Sequence, residues 1–288
     1  MAQTGNTAMV TKDIIVGDYV SVNNELVTLD SPQMQPCYEI SSDPRVYEVI
    51  RVIKSKVVFF EDHLERLKNS FAKIEEYKNM ELSIEKIYQQ TYELIKKLNI
   101  EIGNIRIVVS RSQTLIHQRV HNYPSQELVK KGIVLGELEI VRHDPNVKSM
   151  REDYIKQVQI AHQQEFFGTK VFEVLLLNEQ HCYTEGSRSN VFFLNSEELR
   201  TAPDSEVLKG ITRKYVLQAA ESIGLKINQK SLHKDELQNY KAFLSGTSLN
   251  VLPIYSIGNV LLDSANDKTI IQLLDAYLKI VESYLDSH

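Results

Sequence analysis

Three short stretches carry residue types suited to holding a small anionic ligand. In LKGITRKYVLQAA (208–220), Gly210 frees the backbone just before a predicted helix. The amides of Ile211, Thr212 and Arg213 would then be first-turn N–H groups without helical partners, which suit an anion such as phosphate. The same pattern also fits an ordinary helix start. In FLSGTSLNVLP (243–253), Ser245, Thr247 and Ser248 surround Gly246 at the end of an apolar run. Hydroxyls and close backbone approach again suit an anion, although strand-end turns share this composition. In TEGSRSN (184–190), Glu185 lies between two strongly apolar runs, as a solvated hairpin tip or as an acid facing a site. His117 and His121 are four apart and could share a helix face, but no third ligand accompanies them.

The elements that must position these residues are legible from periodicity. VYEVIRVIKSKVVFF (46–60) is β-branched and predicts a hairpin turning at Lys54-Ser55-Lys56. Leu64, Leu67, Phe71 and Ile74 fall at helical spacing, as do Ile84, Ile87, Tyr88, Tyr92 and Ile95, so two helices follow. NIRIVVSR (104–111) predicts a strand, and the polar stretch 117–132 predicts an interdomain connection. Beyond it, 132–140, 171–178, 189–195, 225–232, 241–248 and 251–258 predict strands. Segments 151–164, 211–224 and 269–285 predict helices, with Gly224 as a stop signal. The expected fold class is mixed α/β (α+β) in two domains, an N-terminal one over 1–125 and a C-terminal one over 132–288, joined at 126–131.

Composition bounds the rest. The chain has 288 residues, 42% hydrophobic and 25% charged, which provides for a large core. A net charge of -5 gives no broad attraction to nucleic acid or to an anionic membrane surface. No apolar run reaches the roughly 20 residues of a membrane span. The N-terminus lacks the layout of a secretory signal, and two cysteines are no disulfide framework, so a cytoplasmic location is expected. P-loop, dinucleotide and G-x-S-x-G signatures are absent. Only 11 glycines are present, and Gly186, Gly210 and Gly246 each lie in one of the three stretches above.

Together, YTEGSRSNVFF, LKGITRKYV and FLSGTSLNVLPI, in this order, resemble the class IV aminotransferases. These are pyridoxal-phosphate enzymes of fold type IV, including branched-chain and D-amino-acid aminotransferases and aminodeoxychorismate lyases. VYEVIRVIKSKVVFFEDHLERL (46–67) is similar to the family's N-terminal signature, and the resemblance spans roughly 38–258. It implies a smaller N-terminal α/β domain, a larger C-terminal pseudo-barrel domain and pyridoxal 5′-phosphate between them. DPNVKSMREDY places Lys148 as the Schiff-base lysine and general base. Glu185 matches the carboxylate that keeps the pyridine nitrogen protonated.

The resemblance further implies a phosphate held by the Ile211 and Thr212 amides, the Thr247 hydroxyl and Arg66 of the H-x-x-R-L pattern; Arg66 is otherwise a surface helix arginine. Leu208 matches the residue packed on the ring. Tyr47, Arg51 and Ser248 are placed on the substrate side. RVHNYP (119–124) is similar to a carboxylate-trapping stretch of the D-amino-acid enzymes, making Arg119 and His121 candidates; a solvated loop is the other reading. The implied function is amino transfer between an amino acid, branched-chain or D-, and a 2-oxo acid by a homodimer. The alternative is an aminodeoxychorismate-type lyase releasing pyruvate. Three departures stand out: SSDPR (41–45) replaces a glycine-aspartate-glycine turn, the Lys148–Glu185 segment is about one helical turn longer, and Gly246 stands where some relatives carry a hydroxyl.

Overall fold

The computed structural model describes residues 8–121, 123–140 and 152–288, and the chain divides into two compact units. The first holds the described residues 8–121, 152–155 and 284–288, and the second holds 123–140 and 156–283.

The first unit is one antiparallel sheet with its two long helices packed on one face. Strands β1 (Tyr19–Val22) and β2 (Glu25–Thr28) form a hairpin that the periodicity did not reveal. Its turn is Asn23-Asn24, both at positive φ, a backbone that asparagine tolerates and that matches strand twist. After the short helix α1 (Gln35–Tyr38) come β3 (Val46–Ile53) and β4 (Lys56–Val57), joined through Lys54 and Ser55, again both at positive φ. Helices α2 (Phe60–Ala72) and α3 (Ile84–Leu98) precede β5 (Ile102–Val109) and β6 (Thr114–Arg119). The sheet order is β2-β1-β6-β5-β3-β4. Along β3, Val46, Ile50 and Val52 turn into a core completed by Phe60, Leu64, Leu67 and Phe71 of α2 and by Ile87, Leu94 and Ile95 of α3. The stretch 117–132, expected as a connection, is only partly one. His117 to Arg119 finish β6, because their backbone completes the ladder to β5. Residues 126–131 form the helix α4 (Gln126–Lys131), capped by the Ser125 hydroxyl on the Leu128 amide.

The second unit continues through β7 (Ile133–Glu139), the part of α5 (Glu152–Ala161) from Lys156 on, β8 (Glu165–Phe166), β9 (Thr169–Lys170), β10 (Glu173–Leu177), β11 (Cys182–Gly186), β12 (Asn190–Leu194) and β13 (Leu199–Arg200). It ends with α6 (Ile211–Ser222), β14 (Ile227–Asn228), β15 (Leu232–His233), β16 (Lys241–Gly246), β17 (Asn250–Ile257), β18 (Val260–Leu261) and α7 (Lys268–Ser287) as far as Ser283. Gly224 follows α6 at positive φ, as a stop signal should.

The strand path is β14-β13-β12-β16-β17-β7-β10-β11-β15. Consecutive strands β11 and β12 are thus five steps apart, about 24 Å in a flat sheet at ~4.8 Å per step. The link from Gly186 to Asn190 reaches at most roughly 14 Å. The sheet therefore curls until the two strands meet, and the Gly186 amide donates to the Ser189 carbonyl at 2.8 Å. The segment 225–232, expected as one strand, makes the same point. It splits into β14 and β15, which pair at opposite ends of the path, because the chain crosses the closing seam there. Leu135, Leu175, Leu177, Tyr183, Phe193, Leu244 and Leu252 form the core of this barrel-like sheet.

Candidate active site

In the second unit the three polar stretches meet around the start of β12. Asn190 pairs with Ser245 of β16 in the ladder, and its side-chain amide donates to the Leu208 carbonyl at 3.0 Å. Its Oδ1 lies 2.1 Å from where a Cβ on Gly210 would sit, so only glycine lets the chain before α6 approach this closely. Ser189 packs 3.8 Å from the corresponding point on Gly246. The side chains of one short segment thus place both the α6 N-terminus and the turn after β16.

Helix α6 begins at Ile211 with Gly210 as its N-cap and no side-chain cap, which leaves its first amides to a ligand. Arg213 is 4% exposed and anchors this first turn, donating to Asp204 Oδ1 at 2.6 Å and to the Ala202 carbonyl at 2.9 Å. Ile211 and Thr212 are buried, while Leu208, Thr247 and Ser248 are half-buried.

Glu185 is not a hairpin tip. It belongs to β11 and is 2% exposed, since the turn falls at 187–189. One of its oxygens accepts the Leu208 amide at 3.0 Å, so the carboxylate and the residue expected against the ring are tied together.

The first unit carries the remaining candidates on two faces of its sheet. On the helical face, Glu48 is fully buried on β3. Its Oε1 accepts from Arg66 Nε at 2.7 Å, its Oε2 from Arg66 Nη2 at 2.6 Å, and His63 Nδ1 lies 2.8 Å from Oε2. This forked pair fixes the Arg66 guanidinium, which is 10% exposed rather than a solvated surface group.

The opposite face follows from register. Tyr47 is level with Val108 and Leu115, Arg106 stands between Val49 and His117, and Arg51, Asn104 and Arg119 form the next row. Three arginines from three strands therefore share one face with Tyr47, whose ring lies 4.9 Å from the Arg106 guanidinium. Arg106 is 8% exposed, and burial pushes its pKa below the ordinary arginine value, as do the neighbouring Arg119 and Arg45. His117 is fully buried there, pushed down to about 3 mainly by burial, and stays neutral at pH 7. His117 and His121 share no helix: the first is in β6 and the second lies beyond its end. Among the described residues no three His, Cys, Asp or Glu side chains could hold a metal ion.

Arg106 and Glu48 were not singled out from sequence. Each sits inside a β-rich run; cross-strand register shows that Arg106 joins Arg51 and Arg119, and the packing of α2 on the sheet shows that Glu48 grips Arg66. The structure brings Tyr47, Arg51 and Arg119 to one face and sets Arg66 on the other; His121 follows β6 and is half-buried. Lys148 lies outside the described residues.

The second-unit residues fit a phosphorylated, pyridine-type cofactor. A Cβ at Gly210 has no room, the α6 amides are uncapped, and the Ser245 hydroxyl is buried without a hydrogen-bond partner among the described residues. A buried carboxylate suited to a ring nitrogen lies one residue contact away, through Leu208.

Known proteins agree with this reading. The family profile described as amino-transferase class IV matches residues 45–257. The chain is 28% identical to the D-alanine aminotransferase of Bacillus licheniformis, over 74% of this chain and 78% of that protein. It is 26% identical to the branched-chain-amino-acid aminotransferase of Pseudomonas aeruginosa, over 58% of this chain and 55% of that one. The fold superposes on the branched-chain aminotransferase of Thermoproteus uzoniensis, solved with norvaline, at a TM-score of 0.76 and 22% identity, covering 93% and 97% of the two chains. With its family signature spanning most of its length and the two-domain fold of type IV enzymes, the chain belongs to the class IV aminotransferases, transaminases that work with pyridoxal 5′-phosphate.

Proposed function

We propose that this transaminase uses Glu185, Leu208, the Ile211 and Thr212 amides and the Thr247 hydroxyl to hold its cofactor, with Arg66 on the phosphate and Lys148 as the catalytic base. The observation that supports this best is the buried Glu185 carboxylate bonded to the Leu208 amide, just ahead of the uncapped α6. Bound there, pyridoxal 5′-phosphate supplies a sink for the electron pair left when a substrate Cα–H bond breaks. Glu185 holds a proton on the ring nitrogen, and its burial strengthens that interaction. The α6 amides and the Thr247 hydroxyl bind phosphate through fixed donors. Lys148 takes the Cα proton and returns it at the other end of the transfer.

The arginine-bearing face suits the carboxylate that every amino acid and 2-oxo acid shares, with Tyr47, Arg51, Arg119 and His121 on the substrate side and Ser248 contributing a hydroxyl. Amino donors of the D-alanine or branched-chain type fit the relatives' names. The enzyme is expected to act as a homodimer in a reducing cytoplasm, in keeping with two free thiols, and sedimentation of the purified protein tests the dimer. The small net negative charge favours small-molecule partners over nucleic acid.

The decisive experiment is a visible spectrum of the protein with pyridoxal 5′-phosphate, followed by borohydride fixation and donor screening. Reductive labelling at Lys148, lost in Lys148→Ala together with turnover, is the expected result. An unchanged band and unchanged labelling in Lys148→Ala would sink the lysine assignment. Bleaching by D-alanine but not L-leucine, or the reverse, decides the donor. Pyruvate release from aminodeoxychorismate without an amino acceptor would favour the lyase instead.

A further inference from the structure

Glu173 is the one carboxylate of β10, a strand otherwise made of valine and leucine, and all five of its residues are buried. At 2% exposure its carboxyl group is removed from water, and the imidazole that interacts with it, His162, has its pKa held below the ordinary value chiefly by burial. Burying a carboxylate costs several kcal/mol unless hydrogen bonds offset the lost hydration. Here all three donors converge on one oxygen. Oε1 accepts the Arg188 backbone amide at 2.7 Å, the Ser189 hydroxyl at 3.0 Å and the Ser187 hydroxyl at 3.4 Å. These three residues are the complete turn between Glu185-Gly186 and Asn190.

The approach is built in from both sides. A Cβ on Gly186 would fall 2.7 Å from Glu173 Oε1 and 2.2 Å from the Ser189 hydroxyl, so glycine makes room for the carboxylate. The Ser187 amide also donates to the Val174 carbonyl at 2.9 Å, which ties the turn to the residue after Glu173. A leucine at 173 would serve the core as well as its neighbours do. What the carboxylate adds is a fixed direction for the turn. The turn in turn aims Glu185 at the Leu208 amide and Asn190 at the Leu208 carbonyl.

We propose that Glu173 is a positioning residue: from beneath the 187–189 turn, its carboxylate sets the orientation of Glu185 and Asn190 around the cofactor ring. This rests on the cofactor site proposed above. In the full-length, cofactor-loaded enzyme, Glu173→Ala should lower kcat about 100-fold, the scale of loss when a reacting geometry slips by about an ångström. KM for the amino donor should stay within about threefold, and the pH midpoint of the bound cofactor's visible band should move, because Glu185 no longer faces the ring nitrogen squarely. A role confined to stability would lower the melting temperature and leave that midpoint unmoved.

A second readout needs no cofactor: hydrogen exchange at the Arg188 amide should accelerate about tenfold or more in Glu173→Ala, reporting the lost bond. Glu173→Gln retains an accepting oxygen and should restore the Arg188 protection and most of kcat. If Glu173→Ala does not fold, the double variant Ser187→Ala, Ser189→Ala removes two of the donors and should shift the band midpoint in the same direction. An unmoved midpoint, an unchanged kcat or an unchanged Arg188 exchange rate in the folded variants overturns the proposal. Should the wild-type chain take up no pyridoxal 5′-phosphate, the cofactor reading itself fails, and the exchange rate alone judges whether Glu173 holds the turn.

Discussion

The two units are suited to anions by opposite means. The second offers neutral donors: helix amides, hydroxyls and one backbone contact after another, placed by glycines at 186 and 210 where a Cβ would collide. The first offers full charges, with Arg51, Arg106 and Arg119 on one sheet face, while Arg66 on the other is paired with Glu48 and is the one cation proposed for the cofactor phosphate. Neutral fixed dipoles cost little to bury and hold a ligand in one geometry, as a permanently bound cofactor requires. Guanidinium groups act over a longer range and bind a carboxylate through two teeth, as suits a substrate that must arrive and leave at every turnover.

The largest test of this contrast concerns stability. Glu48→Ala leaves Arg66 and His63 without their buried partner, and should cost about 3–5 kcal/mol, since breaking a buried pair is far worse than never having one. Denaturant midpoints measure it; a loss below ~1 kcal/mol would show that the pair is not the anchor described. Next, Arg106→Met should raise KM for the amino donor by roughly 10–100-fold, the value of about 1.5–3 kcal/mol for a charged hydrogen bond, while cofactor affinity holds. Weakened cofactor binding with an unchanged KM would reverse the roles of the two units. Thr247→Val should do the converse on a smaller scale, lowering affinity for pyridoxal 5′-phosphate by roughly 2–10-fold, equivalent to ~0.5–1.5 kcal/mol, with KM unaltered.

A further test follows from His117 through the pH dependence of stability. Its folded pKa of about 3 lies below the usual 6.5, so between these values the unfolded chain binds the extra proton and the folded chain does not. Its contribution is therefore complete above pH 6.5 and is lost as pH falls toward 3. Melting curves over that window should flatten in His117→Gln relative to the wild type, and an identical pH slope would remove His117 from the account.

These contrasts also explain what could be read without coordinates. The parts of the candidate cup are legible because they are local: a glycine before a helix, hydroxyls around a second glycine and a glutamate between two apolar runs each declare themselves within a dozen residues. Most strands and helices were legible for the same reason, from hydrophobic period alone. The β1–β2 hairpin was missed because its polar Asn-Asn turn sits among short, half-polar strands. The polar run at 117–119 read as a connection because cross-strand partners, rather than its own hydrophobicity, make it a strand. Segment 225–232 read as one strand because nothing in it marks the seam of a curled sheet.

By itself, then, the sequence determined the chemistry available: which residues could cradle phosphate, which carboxylate could serve a ring nitrogen, and the family to which they point. Tertiary structure alone decided their company. The register of three strands put Arg106 beside Arg51 and Arg119, and the pleat turned Glu48 inward to Arg66. The curl of the sheet set Ser245 and the chain at Leu208 against Asn190, with Glu173 beneath the turn that leads into it. Pairing partners come from distant segments, so no local pattern encodes them. They are fixed only when the backbone hydrogen bonds of each strand are satisfied by another.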